Sequence, residues 1–104
     1  MPFEQVFPRS FTAASVRAYA PAASGLYGIT NAAEWIFIGE AEDIRAALLG
    51  HLGEGNTELA RRAPTGFVYE ECERARRPER QDRLVREYEP ACNRGRAWQG
   101  RSGR

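Results

Sequence analysis

The sequence predicts an α/β chain of the α+β type, with helices and strands in the order α, β, β, α, α, β, α. Three observations predict it. Two apolar segments, residues 24–30 and 34–39, meet across a short polar turn and read as a hairpin. After Gly39 the hydrophobic period lengthens from two to about 3.6 residues. A third strand-like segment then precedes a second long helical pattern near the C-terminus.

Taken in order, Ser10 or Thr12 can cap a first short helix whose alanines favour helical geometry, and Pro21 ends it. Residues 24–30 set Leu26 and Ile29 among a tyrosine and glycines and close on the turn-forming Thr30 and Asn31. Trp35, Ile36, Phe37 and Ile38 form one apolar run, which indicates a strand buried on both faces. A connection centred on Asn31, Ala32 and Ala33 makes the pair antiparallel. Ala41, Ile44, Leu48 and Leu52 then share a helical face, with Ala47 and Leu49 beside it and Glu40, Glu42 and Arg45 toward water. Asp43 and its acidic neighbours are expected in the first turn, at the positive end of the helix dipole, with Gly53 and Gly55 as terminators. Asn56 or Thr57 can cap a short helix over 56–62, closed by Pro64. Phe67, Val68 and Tyr69 mark a strand over 65–72. Leu84, Val85 and Tyr88, with Pro78 near the first turn, mark a helix over 78–89 that Pro90 stops. Residues 94–104, rich in arginine and glycine, are expected to be disordered in isolation. The organisation predicted is a helical extension over 1–23, a domain over 24–93 and a tail over 94–104.

At 104 residues the chain is long enough for one core and too short for two. It contains no run near the roughly eighteen apolar residues of a membrane span, and its N-terminus lacks the pattern of a secretory signal, so a cytoplasmic protein with no membrane partner is expected. Cys72 and Cys92 have no CxxC spacing and only one histidine for company, which argues against a zinc site; they read as free thiols, with a disulfide as the alternative. The net charge of +1 conceals an asymmetry: ten arginines and five acids follow residue 71, against five arginines and nine acids up to it. Arginine suits bidentate contact with phosphate, and Arg94, Arg96, Trp98, Arg101 and Arg104 of the tail are candidates for nucleic-acid contact, Trp98 by stacking. Between residues 73 and 89 the interspersed acids favour a solvated helix laced with ion pairs instead.

Within the hairpin, Gly25-Leu26-Tyr27 and Phe37-Ile38-Gly39 stand ten residues apart. Glu40 to Ile44, His51, and Pro90 with Asn93 follow at a characteristic spacing. This combination resembles the paired signature of the GIY-YIG nuclease superfamily. The resemblance covers roughly residues 24–93 and implies a small three-stranded antiparallel sheet flanked by helices. It also implies chemistry: in active members a glutamate on the last helix holds a divalent metal, a tyrosine of the first motif activates water, and an arginine with the tyrosine of the second motif steadies the phosphate. A metal Lewis acid needs a carboxylate anchor, and a pentavalent phosphate needs a cation.

Carried over residue by residue, the first tyrosine is Tyr27, while the second is Phe37, which keeps the ring without the hydroxyl. The arginine position, eight residues after Gly39, is Ala47. Arg45 lies two residues earlier, about 200° around a helix, a poor substitute. The glutamate position, twelve residues before Asn93, is Gln81, whose amide has no charge with which to bind magnesium strongly. His51 reads either as a support of the site or as a helix-end histidine meeting the dipole, Tyr27 as a general base or a core residue, and Asn93 as the fixer of a backbone turn. Losing cation, metal anchor and hydroxyl together leads to the expectation of a catalytically degenerate domain, with no resident cofactor, that binds DNA, RNA or another protein. The alternative is a magnesium-dependent, structure-selective endonuclease with a rearranged site, using Glu70, Glu71 or Asp82 as ligand and Arg45 as cation.

Overall fold

A computed structural model describes residue 3, residues 7–53 and residues 57–93. Ten short elements follow one another: β1 (Arg9–Ser10), α1 (Ala13–Tyr19), β2 (Gly25–Thr30), β3 (Trp35–Ala41), α2 (Ile44–Leu52), α3 (Glu58–Arg61), β4 (Gly66–Glu71), a 3₁₀ turn (Arg74–Arg76), α4 (Arg77–Tyr88) and a second 3₁₀ turn (Ala91–Asn93). The sheet is antiparallel throughout, in the order β1-β4-β2-β3. The expected three strands are therefore joined by a fourth. β1 pairs Arg9 with Phe67 and Ser10 with Gly66, and a strand of two residues is too short to leave a readable alternation in the sequence.

β2 lies between β3 and β4, and all six of its residues are buried. Asn31 fastens the hairpin turn: its Oδ1 accepts from the Ala33 and Glu34 amides at 2.8 and 2.9 Å. The apolar run in β3 is interrupted by a bulge, since Trp35 pairs with Thr30 and Phe37 with Ile29, leaving Ile36 as the additional residue. The bulge carries Ile36 and Phe37 to one side of the sheet and leaves Trp35 and Ile38 on the other.

Two cores result. On one face α1 and α2 cover Tyr27, Ile29 and Phe67 with Val16, Ile44 and Leu48. Val16, Ile44 and Leu48 are fully buried, and each such aliphatic side chain contributes about 1.5–3 kcal/mol. Residues of the N-terminal segment, Phe11, Val16 and Ala20, belong to this core. On the other face Leu84 of α4 meets Leu26, Ile38 and Val68, and Trp35 stacks on Tyr88 with ring centroids 4.0 Å apart.

The N-caps agree with the sequence at two helices and differ at one, and α4 ends ahead of Pro90 as the sequence predicts. Thr12 accepts from Ser15 N, Thr57 from Ala60 N, and Glu89 closes α4 in the left-handed region at φ 49° ahead of Pro90. In α2 the first turn is not acidic. Asp43 is the N-cap itself, accepting from Ala46 N at 2.9 Å, and Glu40 belongs to β3. The side-chain cap outranks the dipole preference because it satisfies an otherwise orphaned amide.

Candidate active site

Tyr27, Phe37 and His51 come together from β2, β3 and α2. Ring centroids are 6.0 Å apart for Tyr27 and Phe37, 5.6 Å for Tyr27 and His51, and 5.4 Å for Phe37 and His51. The Tyr27 hydroxyl lies 2.8 Å from His51 Nε2, and the tyrosine is 5% exposed. With the proton on Nδ1, the imidazole accepts from the phenol and can act as its base; with it on Nε2, the imidazole donates to the phenolic oxygen. Gly39 makes room for this ring: a Cβ there would stand 2.7 Å from Tyr27 Cζ and Oη and 2.8 Å from Phe37 Cε2. The first glycine has a different reason, since a Cβ on Gly25 would strike the Glu70 carbonyl oxygen of the paired strand.

Ala47 stands one helical turn before His51 and packs against the same core. The position that resembles the phosphate-steadying arginine thus presents a methyl group. Arg45 is spent elsewhere: its Nε donates to the Ala20 carbonyl at 2.9 Å, tying α2 to the end of α1.

Gln81 and Asn93 converge on the backbone of Ile38, beside Phe37. Asn93 Oδ1 accepts from Ile38 N at 2.7 Å while its Nδ2 donates to Ile38 O at 3.0 Å, so one carboxamide imitates the peptide group of a further strand on the outer side of β3. This is the backbone role expected of Asn93, performed on a strand edge instead of a turn. Gln81 Nε2 donates to the same carbonyl at 3.0 Å, and both side chains are buried. A carboxylate at position 81 has no proton to donate to that oxygen.

Of the acids proposed as alternative ligands, Glu70 is engaged with an arginine of another element. Glu70 takes both Nε and Nη2 of Arg80, at 2.6 and 2.8 Å. That hydrogen bond raises the Arg80 guanidinium above its usual value, with burial pulling the other way. Arg77 is buried at the start of α4 and donates to Ala41 O at 2.7 Å, Ser24 Oγ at 3.1 Å and Glu42 at 3.2 Å. Its Nε stands 3.3 Å from Glu40 without an aligned hydrogen bond. These tethers run from helix to sheet, whereas the sequence pattern led to the expectation of pairs within a solvated helix. A buried arginine ahead of Pro78 leaves no periodic signal, which is why the role of Arg77 was not legible. Glu71 is exposed and Asp82 half-buried. Among the described residues no three His, Cys, Asp or Glu gather where a metal could sit.

Cys72 and Cys92 are both free, and they pack into the cores on opposite faces of the sheet. Arg94, Arg96, Trp98, Arg101 and Arg104 lie outside the described residues.

Among solved structures the chain is similar to the GIY-YIG N-terminal endonuclease domain of UvrC from Thermotoga maritima. The magnesium-bound form matches with a TM-score of 0.62 and 20% identity over 73% of this chain and 92% of that domain. Two point mutants of that domain, each bound to its catalytic divalent cation, match at the same TM-score with 21% and 18% identity. At this identity the likeness establishes the fold. No family model and no curated protein matches the sequence.

Proposed function

From a chain that has the GIY-YIG endonuclease fold, we propose a nucleic-acid-binding or interaction module whose nuclease site has decayed. The observation that carries this reading is Gln81: the position corresponding to the metal-binding glutamate holds an amide whose proton is used on the Ile38 carbonyl. The residues present do not fit a divalent cation held in the family's manner. Ala47 and Phe37 add to the reading, because they remove the cation and one hydroxyl. Each lost electrostatic stabiliser typically costs about a hundredfold to a thousandfold in rate. No helix among the described residues is long and apolar enough to cross a membrane, and nucleic acid is the partner class the fold favours.

One observation favours a second reading, a metal-dependent structure-selective endonuclease with a rearranged site: the hydrogen bond between Tyr27 and His51 persists. Incubating branched, single-stranded and duplex DNA with the full chain in magnesium or manganese separates the two. The decayed site gives no metal-dependent cleavage. Cleavage that requires the metal and disappears in Tyr27→Phe overturns the proposal and establishes the second reading.

A further inference from the structure

We propose that Phe7, Arg9 and Tyr19 form a binding surface for single-stranded nucleic acid, at the edge of the sheet opposite to the Asn93 clasp. The inference rests on the nucleic-acid-binding half of the proposed function and adds where, and which form, the chain binds. Phe7 and Tyr19 are the exposed large hydrophobic side chains among the described residues, at 81% and 50%. They line one open depression together with Pro8, Arg9, Ser10 and Ser15. The Arg9 guanidinium carbon stands 3.9 Å over the centre of the Tyr19 ring, which presents a cation already laid on an aromatic plane. Ser15 and Tyr19 are four residues apart on α1, so the serine hydroxyl is offered beside the ring.

The chemistry of this surface selects its occupant. Among the described residues none of the six that line it is acidic, and Arg9, Ser10 and Ser15 supply hydrogen-bond donors that suit phosphodiester oxygens. Exposed ring faces suit unstacked bases, which stack on aromatic side chains and on guanidinium planes. A duplex keeps its base faces covered by their neighbours, so the same rings have nothing to stack on there.

Fluorescence anisotropy of the full chain with labelled oligo-dT and oligo-rU of about fifteen nucleotides, and a duplex of equal length, tests this. Phe7→Ala and Tyr19→Ala are expected to weaken single-strand binding roughly tenfold each and to leave duplex binding unchanged, while Tyr19→Phe retains it. Arg9→Gln lowers the slope of log affinity against log salt by about 0.7. The two oligonucleotides separate a DNA from an RNA preference. Amide chemical-shift changes in the unmodified chain should centre on Arg9, Ser10 and Ser15, a readout that does not depend on any variant folding. Single-strand affinity unchanged in the double Phe7/Tyr19 alanine variant, shifts centred elsewhere, or occupancy of this surface by an acidic peptide and not by oligonucleotides overturns the inference. Duplex binding without single-strand binding defeats the inference and leaves the proposed function standing; no nucleic acid bound in any form defeats both.

Discussion

A single backbone position, Ile38, accounts for two of the buried polar side chains beside the site. Its amide and carbonyl would face outward from an edge strand, and Asn93 and Gln81 satisfy them instead of a neighbouring strand. Asn93→Ala is expected to lower stability by about 1–3 kcal/mol, read as a shift in the urea midpoint, because it strips the Ile38 amide of its acceptor and leaves Gln81 as the side-chain donor to the Ile38 carbonyl. Gln81→Glu tests the carboxylate directly. Set against a carbonyl in a buried site, the introduced acid has its pKa raised above the unfolded value of about 4.3. Its neutral form is the tolerated one, so the variant is close to the parent near pH 4 and loses stability as pH rises toward 7. Urea midpoints at the two pH values check this, and magnesium that restores the pH 7 value in this variant and leaves the parent unchanged would agree with the decayed-site reading, in which the amide is the lost metal anchor. Gly39→Ala drives a methyl into the Tyr27 ring and is expected to cost about 1–3 kcal/mol in thermal or urea unfolding. Sequence spacing found Tyr27, Phe37, Ala47, Gln81 and Asn93, but the partner of the last two is a backbone carbonyl, which no side-chain pattern encodes.

Helix α4 is held to the sheet by arginines as well as by its short apolar face. Arg77 binds β3 and Ser24 at its start, and Arg80 binds Glu70 of β4 one turn later. Arg77→Ala is expected to destabilise the fold by about 3 kcal/mol, because it takes the charged donor from Ala41 O and the buried guanidinium from beside Glu40. Arg74→Ala is the contrast. Its ion pair with Glu42 spans 3.5 Å between well-exposed side chains, and removing it should change stability by less than about 1 kcal/mol. Paired urea titrations of the two variants decide whether burial or mere charge pairing anchors the helix. The interspersed acids of this region announce ion pairs in the sequence, while their partners depend on which side of α4 meets β3 and β4.

For the whole molecule, three titratable groups resist ionisation together. Burial pushes up the thiols of Cys72 and Cys92 above their ordinary value of 9.0 and the Tyr88 phenol above 10.0. Their neutral forms are favoured in the folded state, so the stability they contribute is complete below about pH 9 and is lost as pH rises through their folded values. The urea midpoint should therefore fall from about pH 9 upward, and serine at positions 72 and 92 should flatten that fall. At this scale the division of information is clear. Local patterning alone determined the hairpin, the amphipathic α2 and the α4 boundary at Pro90, because turn chemistry and hydrophobic period act over a few neighbouring residues, whereas Ala47 and Gln81 are counted from the family resemblance. Only tertiary structure decided the rest: the two-residue β1, the bulge that turns Phe37 toward His51, the clasp on Ile38 and the surface joining Phe7, Arg9 and Tyr19. Each of these depends on which distant backbone or ring the folded chain brings within about 3–6 Å, the reach of hydrogen bonds and ring contacts.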